Sequence, residues 1–338
     1  MIAIAGYETL AYAAIVSAVS FLAVYFLTPI AIRSLVAKGS AVQDYHKPGK
    51  PLVARPAGPV LMAGIAAAEL VLYAFTLNHA VLIILVATAI AFVVGYVDDK
   101  RVMPGWFKPV ALLAAAVPLI VFGVHGDNLH LVFGSAFIPL LYIPLILVIM
   151  PVAGNTVNSI DVLNGVASGF VAIATVPLLA AIAIFGRTDV FLAGLPLLFA
   201  SLAFFKFHKY PSRIFPGDSG TLLLGAMYGA LAIAGRAEII GVVALLPAVV
   251  NSFLFLSSVK RIVEHRQVKA RPVTLLEDYR LAASSDRAAP ATLVRLILAD
   301  GPLSEKDVAQ KIFRLSAFSA LLAFATIAIQ YCFTVITR

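Results

Sequence analysis

The sequence predicts an all-α polytopic membrane protein with about ten transmembrane helices. Of its 338 residues, 62% are hydrophobic and only 12% are charged, and the mean hydropathy is +1.00. Apolar runs recur along the whole chain, and a run of about 20 residues is long enough to cross a bilayer as a helix. Soluble domains do not carry this much apolar sequence. Residues 1–338 are therefore expected to form one integral membrane domain.

The first apolar run is predicted to be a membrane span and not a signal peptide. No Lys or Arg precedes Leu10–Ile32, and the run is longer than the hydrophobic part of a signal sequence. The single cysteine, Cys332, lies in the last run, so no disulfide can form within the chain.

Ten apolar runs follow one another with no internal repeat. Some are shorter than a full crossing, so their ends must extend into the flanking polar sequence. The predicted spans are Leu10–Ile32, Val60–Leu77, Ala80–Val97, Pro109–Val124, Ile138–Ala153, Val162–Phe185, Val190–Phe205, Leu222–Ala234, Ile239–Val259 and Phe313–Ile336.

The basic residues assign a side of the membrane to each connection. All but Arg187, Arg236 and Arg338 of the 25 Lys and Arg residues fall in the connections after spans 1, 3, 7 and 9 or, for Arg314, at the boundary of span 10. Cytoplasmic loops carry such an excess, so both termini are expected outside and the large loop 260–312 inside. The net charge of +8 lies beside the membrane, which indicates lipid head groups and phosphate as partners instead of nucleic acid.

A polar stretch, Gly154–Gly169, separates two apolar runs and is predicted to form the floor of a site. It reads GNTVNSIDVLNGVASG. Polar groups near the membrane are costly unless they face protein, water or a ligand. Asn155, Asn158, Asp161 and Asn164 recur every three residues, which would place them on roughly one helix face. The alternative is a plain polar turn between two helices.

The other polar clusters fall on the same predicted side. Asp98 and Asp99 follow span 3, and Asp218 precedes span 8 within FPGDSGT. The other polar residues on this side are Gln43, Asp44 and Lys47 in the first cytoplasmic loop, Lys108 before span 4, Arg213 before span 8, and His265 with Arg266 at the start of the large loop.

The residue types in these clusters indicate phosphoryl transfer. Carboxylate and amide oxygens are ligands that suit Mg²⁺, with Mn²⁺ as an alternative. Lys108, Arg213, His265 and Arg266 can neutralise phosphate oxygens. Positioning and charge neutralisation perform most of the work in such a centre. The sequence has no P-loop, and its histidines show no zinc-ligand spacing.

In GYVDDK, NTVNSIDVLNG, FPGDSGT and EHR the chain resembles the polyprenyl-phosphate N-acetylhexosamine-1-phosphate transferases. These are integral membrane enzymes with ten spans and a cytoplasmic active site. It is most similar to the eukaryotic and archaeal UDP-GlcNAc:dolichyl-phosphate GlcNAc-1-phosphate transferases, which share Asn164-Gly165, YPSRIFPGD and the tail from PATLVRL. Asp161-Val162 departs from the common Asp-Gly. The single His of EHR argues against a muramyl-pentapeptide substrate.

The resemblance also implies residue roles. Asp218 and Asn158 would hold Mg²⁺ on the donor diphosphate, and Lys108 would contact the same diphosphate. Asn164 with Gln43 would bind uracil, His265 and Arg266 would meet the sugar side, and Asp98 and Asp99 would lie by the acceptor phosphate. Asp161 is also expected to be catalytic. Further substrate-binding residues are expected to be Asp44, Lys47, Asn155 and Arg213.

The implied reaction transfers GlcNAc-1-phosphate from UDP-GlcNAc to a polyprenyl (dolichyl) phosphate. It would release UMP and form polyprenyl-diphosphate-GlcNAc, the first lipid-linked step of glycan assembly such as N-glycosylation. The enzyme would reside in the cell membrane or the ER membrane. The sequence leaves the exact UDP-sugar, the prenyl chain and the oligomeric state open, a homodimer included.

Two other classes of protein remain as alternatives. A secondary transporter also carries Asn and Asp at broken helices, but it would place them near the membrane midplane and show paired halves. A non-catalytic lipid-binding scaffold would explain the basic loops, but not the acids and amides beside them.

Overall fold

The structure, a computed structural model, describes residues 6–185, 187–260 and 268–336. Within these ranges the chain forms thirteen helices and three two-stranded antiparallel hairpins. The helices are α1 (Tyr7–Ala37), α2 (Gly58–Thr76), α3 (His79–Lys100), α4 (Phe107–Ala111), α5 (Leu113–Val121), α6 (Pro139–Ile160), α7 (Val166–Ile184), α8 (Thr188–His208), α9 (Gly217–Ala234), α10 (Glu238–Ala244), α11 (Leu246–Val259), α12 (Leu293–Ile297) and α13 (Glu305–Ile336). The hairpins pair β1 (Ala41–Gln43) with β2 (Leu52–Ala54), β3 (Asn128–Leu131) with β4 (Gly134–Phe137), and β5 (Val273–Leu275) with β6 (Leu281–Ala283).

Each predicted apolar run contains a helix or a pair of helices. Seven of the described helices are long and apolar enough to cross a membrane, and the pair α10–α11, bent by 72° at its break, makes an eighth. The helices of the predicted fourth and eighth spans are not among these: α4 and α5 together cover only residues 107–121, and α9, which has 18 residues, begins with the polar sequence GDSGT. The structure confirms a polytopic helical protein. The count of ten and the outside location of the termini stay predictions.

Helix α9 lies at the centre of the bundle. All 18 of its residues are buried, and its main neighbours are α3 and α6. Glycines allow this close approach. A Cβ at Gly95 of α3 would lie 2.6 Å from the Cα of Ser219, and one at Gly225 would lie 2.8 Å from the Cα of Gly154 on α6. The end of α3 therefore packs directly against the start of α9, and α6 packs directly against its middle.

The polar stretch after span 5 does not form a single helix face. Helix α6 ends at Ile160, and α7 begins only after Gly165, whose φ is +84°. A Cβ at Gly165 would lie 3.0 Å from the Cα of Lys209, so this close-packed turn favours glycine. The expectation of one shared face is wrong: Asn155 and Asn158 lie on α6, whereas Asp161 and Asn164 lie in the turn.

The hairpins were not predicted, and one of them belongs to a folded segment between α11 and α13. This segment, residues 268–304, contains β5, β6 and α12. The Arg295 guanidinium donates hydrogen bonds to the carbonyl oxygens of Ser284 and Asp286, at 3.0 and 2.9 Å. Asn251 of α11 accepts from the backbone N–H of Leu293 at 2.9 Å, which fixes α12 against the bundle. Helix α13 begins at Glu305, within the residues predicted as the large loop 260–312, and that loop stays a prediction.

Candidate active site

A polar cavity of about 480 Å³ opens at one end of the bundle. It lies where α6 and α8 end and where α7 and α9 begin. This volume is within the range of small-molecule sites. The predicted site residues that line it are Gln43, Asp44, Lys108, Asn158, Asp161, Asn164 and Asp218.

Lys108 lies between two carboxylates at the cavity wall. Its Nζ is 3.2 Å from Oδ2 of Asp98 and 3.6 Å from Oδ1 of Asp218. Asp98 also accepts a hydrogen bond from the backbone N–H of Met103 at 3.1 Å, which fixes the carboxylate at the end of α3. Lys108 and Asp98 are both buried, so this ammonium group is held in place by a paired charge.

Asp99 does not line the cavity and instead caps α9. Its Oδ1 accepts from the backbone N–H of Asp218 at 3.0 Å, and its Oδ2 accepts from the backbone N–H and the hydroxyl of Ser219 at 2.9 and 2.6 Å. The first N–H groups of a helix have no partner within the helix, and a carboxylate there is favoured by the helix dipole. Asp99 thereby orients the first turn of α9, which carries Asp218.

Asn158 and Asp218 lie on neighbouring helices and present oxygen ligands to the same cavity. The Thr221 hydroxyl donates a hydrogen bond to Oδ1 of Asn158 at 2.7 Å, which orients the amide. The carboxylates of Asp98 and Asp218 share Nζ of Lys108 as a partner. This set of hard oxygen atoms fits Mg²⁺.

Asn164 lies at the centre of a buried polar network. Its Oδ1 accepts from Nζ of Lys47 at 2.6 Å and from the backbone N–H of Ser212 at 2.7 Å. Its Nδ2 donates to Oδ2 of Asp44 at 3.1 Å. Glu305 at the start of α13 contacts Lys47 Nζ at 3.3 Å. The network therefore joins the first loop, the α6–α7 turn, the α8–α9 loop and α13.

The same network fills the one cluster of possible metal ligands found among the described residues. Asp44, His46 and Glu305 place a ligand atom each within 4.8 Å of one another. Lys47 contacts both carboxylates of this group, Asp44 and Glu305. Its ammonium already supplies the positive charge that these acids require. We therefore assign no metal ion to them.

Asp161 faces a buried histidine across the α6–α7 turn. Nε2 of His208 is 3.6 Å from Oδ1 of Asp161, and Nδ1 of His208 is 2.9 Å from the Ser168 hydroxyl. Burial raises the pKa of the Asp161 carboxyl to about 7, although the Arg55 guanidinium opposes this shift. A group that titrates near neutral pH can change charge under working conditions.

The other predicted residues lie elsewhere. Lys47 is buried in the network around Asn164, and Arg213 is exposed with its guanidinium 5.8 Å from the Phe207 ring centroid. Asn155 donates to the carbonyl of Pro151 at 2.8 Å and faces an apolar groove. His265 and Arg266 lie outside the described residues. Their predicted contact with the sugar side stays a prediction.

Sequence reasoning missed several residues that line the cavity: Arg55, His208, Phe215 and Arg271. Arg55 was counted only as a basic loop residue. His208 ends an apolar helix, where its spacing does not distinguish it from the core. Phe215 is the first residue of FPGDSGT, and Arg271 lies five residues after Arg266, so the motifs were the available signal.

An apolar groove of about 390 Å³ runs beside the cavity between α4, α6 and α11. Its walls include Pro109, Val152 and Leu256. Lys108 and Asn158 line both the groove and the cavity. A molecule with an apolar chain and a charged head could therefore bring its head to Lys108 while its chain stays in the groove.

Comparison with known proteins places this site in context. The sequence model of glycosyl transferase family 4 matches residues 81–236, which include Asp98, Lys108, Asn158 and Asp218. The chain is 31% identical over 228 residues to a Saccharolobus solfataricus protein that carries the provisional name UDP-N-acetylglucosamine–dolichyl-phosphate N-acetylglucosaminephosphotransferase. That match covers 64% of this chain and 69% of the relative.

Two bacterial relatives share the same region. A Bacillus subtilis protein, provisionally named undecaprenyl-phosphate N-acetylglucosaminyl 1-phosphate transferase, is 27% identical over 222 residues, which are 64% of this chain and 61% of the relative. A phospho-N-acetylmuramoyl-pentapeptide-transferase of Thermodesulfovibrio yellowstonii is 27% identical over 259 residues, or 65% of this chain and 71% of the relative. The names of the three relatives agree on a sugar-phosphate transfer and differ in the sugar or the lipid.

Proposed function

The chain belongs to glycosyl transferase family 4, and from this premise we propose that it transfers GlcNAc-1-phosphate from UDP-GlcNAc to a polyprenyl (dolichyl) phosphate. At the level of reaction class it is an integral membrane polyprenyl-phosphate hexosamine-1-phosphate transferase. The sugar, the nucleotide and the prenyl type are the proposed part. The Asn164-Gly165 pair and the YPSRIFPGD segment support the GlcNAc and dolichyl assignment.

The observation that carries the proposal is the shared wall between the polar cavity and the apolar groove. Lys108 and Asn158 line both. A water-soluble nucleotide sugar fits the chemistry of the cavity, whereas a polyprenyl chain fits the groove along α11. The two substrates would meet with their phosphates at Lys108, where a fixed positive charge is available.

In the proposed reaction a phosphate oxygen of the acceptor attacks the β-phosphorus of UDP-GlcNAc. The bond from that phosphorus to the bridging oxygen breaks, and UMP leaves with the electron pair. A phosphate monoester has a second pKa near 6 and is mostly ionised at neutral pH, so the attack does not require a general base. Lys108 would neutralise the charge around the diphosphate, and Asp98 would hold Lys108 in position.

Asn158 and Asp218 would hold Mg²⁺, or Mn²⁺, on the donor diphosphate. A divalent cation supplies charge neutralisation at the phosphate oxygens in reactions of this kind. Thr221 orients the amide of Asn158, and Asp99 orients the helix start that carries Asp218. The protein therefore presents both ligands from rigid helix ends, which is the arrangement that positioning requires.

We further propose that the cavity faces the cytoplasm of a cell membrane or an ER membrane. The connections on this side carry nearly all of the basic residues, in agreement with the positive-inside pattern. Soluble nucleotide sugars would reach the cavity from that side. A homodimer remains part of this proposal and is testable by light scattering in detergent.

Transfer is tested with purified protein in detergent, Mg²⁺, polyprenyl phosphate and UDP-[¹⁴C]GlcNAc. The expected result is label in the organic phase with release of UMP. Label should be lost on chelation and in Asp218→Asn, but retained in Asp300→Asn, which changes an exposed aspartate. Transfer from UDP-GalNAc or UDP-MurNAc-pentapeptide alone would replace the proposed sugar. No transfer from any donor would overturn the assignment.

A further inference from the structure

Arg55 lies at the edge of the polar cavity on a fixed stretch of backbone. It follows β2, and its backbone N–H donates to the carbonyl of Ser40 at 3.1 Å. Its side chain lines the cavity and is 29% exposed. This arginine can thus meet a ligand while its backbone stays in place.

The guanidinium of Arg55 is anchored through one nitrogen. Its Nη2 lies 3.1 Å from Oδ1 of Asp99 and 3.5 Å from Oδ2 of Asp218. Within the described part of the chain, Nε and Nη1 make no hydrogen bond. An arginine side chain carries five N–H donors in a planar fork, so most of its donors remain for a ligand.

The carboxylate of Asp99 holds the Arg55 guanidinium in a fixed position. Its oxygens already accept from the backbone N–H groups of Asp218 and Ser219 in the first turn of α9 and from the Ser219 hydroxyl, which fixes the carboxylate. The side chain of Asp99 is only 2% exposed. Nη2 of Arg55 is therefore tied to a rigid acceptor, and the free edge of the guanidinium has a defined location.

Arg55 and Lys108 lie on opposite sides of Asp218. Lys108 contacts Oδ1 of that carboxylate, and Arg55 contacts Oδ2. Lys108 also lines the apolar groove, whereas Arg55 lines only the polar cavity. Of these two cations, Arg55 is thus the one on the side remote from a lipid acceptor.

We infer that Arg55 is a substrate-binding residue for the donor, whose diphosphate it binds through its free N–H groups. This inference rests on the proposed function, since it takes the cavity ligand to be a nucleoside-diphosphate sugar. Planar guanidinium groups match pairs of phosphate oxygens with two parallel hydrogen bonds. Asp99 acts on the substrate only through Arg55 and α9, so it is a positioning residue.

The test measures binding of UDP and of uridine to Arg55→Gln and Arg55→Lys by calorimetry in detergent with Mg²⁺. Arg101→Gln is the matched control, because Arg101 is an exposed arginine at the end of α3, two residues after Asp99. Arg55→Gln should weaken UDP binding by about 10- to 100-fold, the range that one or two charge-assisted hydrogen bonds provide. Arg55→Lys should recover part of this loss. Uridine, which lacks phosphate, should compete as well as before.

Steady-state kinetics add a second measurement. The KM for the nucleotide sugar should rise in Arg55→Gln, whereas the KM for polyprenyl phosphate should change by less than about twofold, because Arg55 lies outside the groove. A thermal melt of each variant without ligand reports any loss of folding. Arg55→Lys keeps the charge and serves as the second variant if Arg55→Gln unfolds.

The outcomes separate this inference from the proposed function. If the unaltered protein does not bind UDP, the donor class is wrong and both fall. If it binds UDP and Arg55→Gln binds it equally well, the inference is overturned and the transferase assignment stands. An equal loss of UDP and uridine binding would show that Arg55 only supports the loop, which also overturns the inference.

Discussion

The backbone N–H of Asn164 donates a hydrogen bond to Oε1 of Glu305, at 2.8 Å. This contact joins the turn after α6 to the first residue of α13, and both residues are buried. The other oxygen of Glu305 contacts Nζ of Lys47. The position of Asn164 in the cavity therefore depends on a helix that begins 141 residues later in the chain.

Replacing Glu305 by alanine should lower the free energy of unfolding by about 3 kcal/mol, because the change leaves a buried lysine and a buried N–H group with fewer partners. The measurement is the thermal or denaturant midpoint in detergent. Glu277→Ala removes an exposed glutamate and should have almost no effect. Equal midpoints for the two variants would contradict the structural role of Glu305.

The two adjacent aspartates should behave differently when each becomes asparagine. Asp99→Asn places an NH₂ group against N–H donors of α9, so it should lower the free energy of unfolding by about 2 kcal/mol. Asp98→Asn should lower kcat with a smaller loss of stability, because it weakens the fixation of Lys108. Thermal melting curves and transfer rates, measured for both variants, distinguish the two roles. Similar losses of stability in both variants would contradict the capping role of Asp99.

Thr221→Val should weaken metal binding, because the hydroxyl that orients Asn158 is lost. A partner that orients a metal ligand typically contributes about 10- to 100-fold in affinity, and we expect a loss in this range for Mn²⁺ measured by electron paramagnetic resonance. Thr175→Val is the matched control, since Thr175 is buried in α7 and bonds only the carbonyl of Val171. Equal Mn²⁺ affinity in the two variants would exclude this role for Thr221.

The stability of the protein should depend on pH through Asp161. Its pKa is raised to about 7 in the folded protein, whereas an unfolded aspartate has a pKa of about 3.9. Between these values the folded state holds a proton that the unfolded state has lost, so the free energy of unfolding falls as the pH rises. Above about pH 8 this contribution is constant.

Asp161→Asn removes this titration. The midpoint of the unaltered protein minus that of Asp161→Asn should therefore decline from about pH 4 to pH 7 and then level off. The measurement is a series of thermal melts with chelator present, so that metal binding does not add its own pH dependence. A difference that is constant across this range would show that Asp161 is not shifted.

The sequence was informative where a residue's role follows from its neighbours in the chain. Asn158 lies on the helix that the apolar pattern predicted, and Asp218 follows a Pro-Gly turn at a helix start, so both reached the cavity as expected. Asp161 does not share the α6 face of Asn158, because α6 ends at Ile160 and Asp161 lies in the turn before α7.

Contacts between residues far apart in the chain could not be predicted from the local sequence. Lys47 and Glu305 meet across 258 residues, and no local pattern encodes that pairing. Arg213 was expected in the site because it belongs to a motif, yet its guanidinium lies over Phe207. Arg55 was counted only as one of several basic residues in its loop. Its contact with Asp99, which distinguishes it from the others, depends on the fold.

The enclosure of α9 has a consequence for the biogenesis of the protein. This helix is not among the seven that are apolar and long enough to cross a membrane unaided, and its first turn carries Asp218. Insertion into lipid is unfavourable for such a segment by itself. We therefore expect α9 to enter the bilayer together with α3, which precedes it in synthesis and supplies the acceptor for its first N–H groups. Replacing Gly95 by a bulky residue should then yield unassembled protein that is degraded, and not a folded enzyme with a reduced rate.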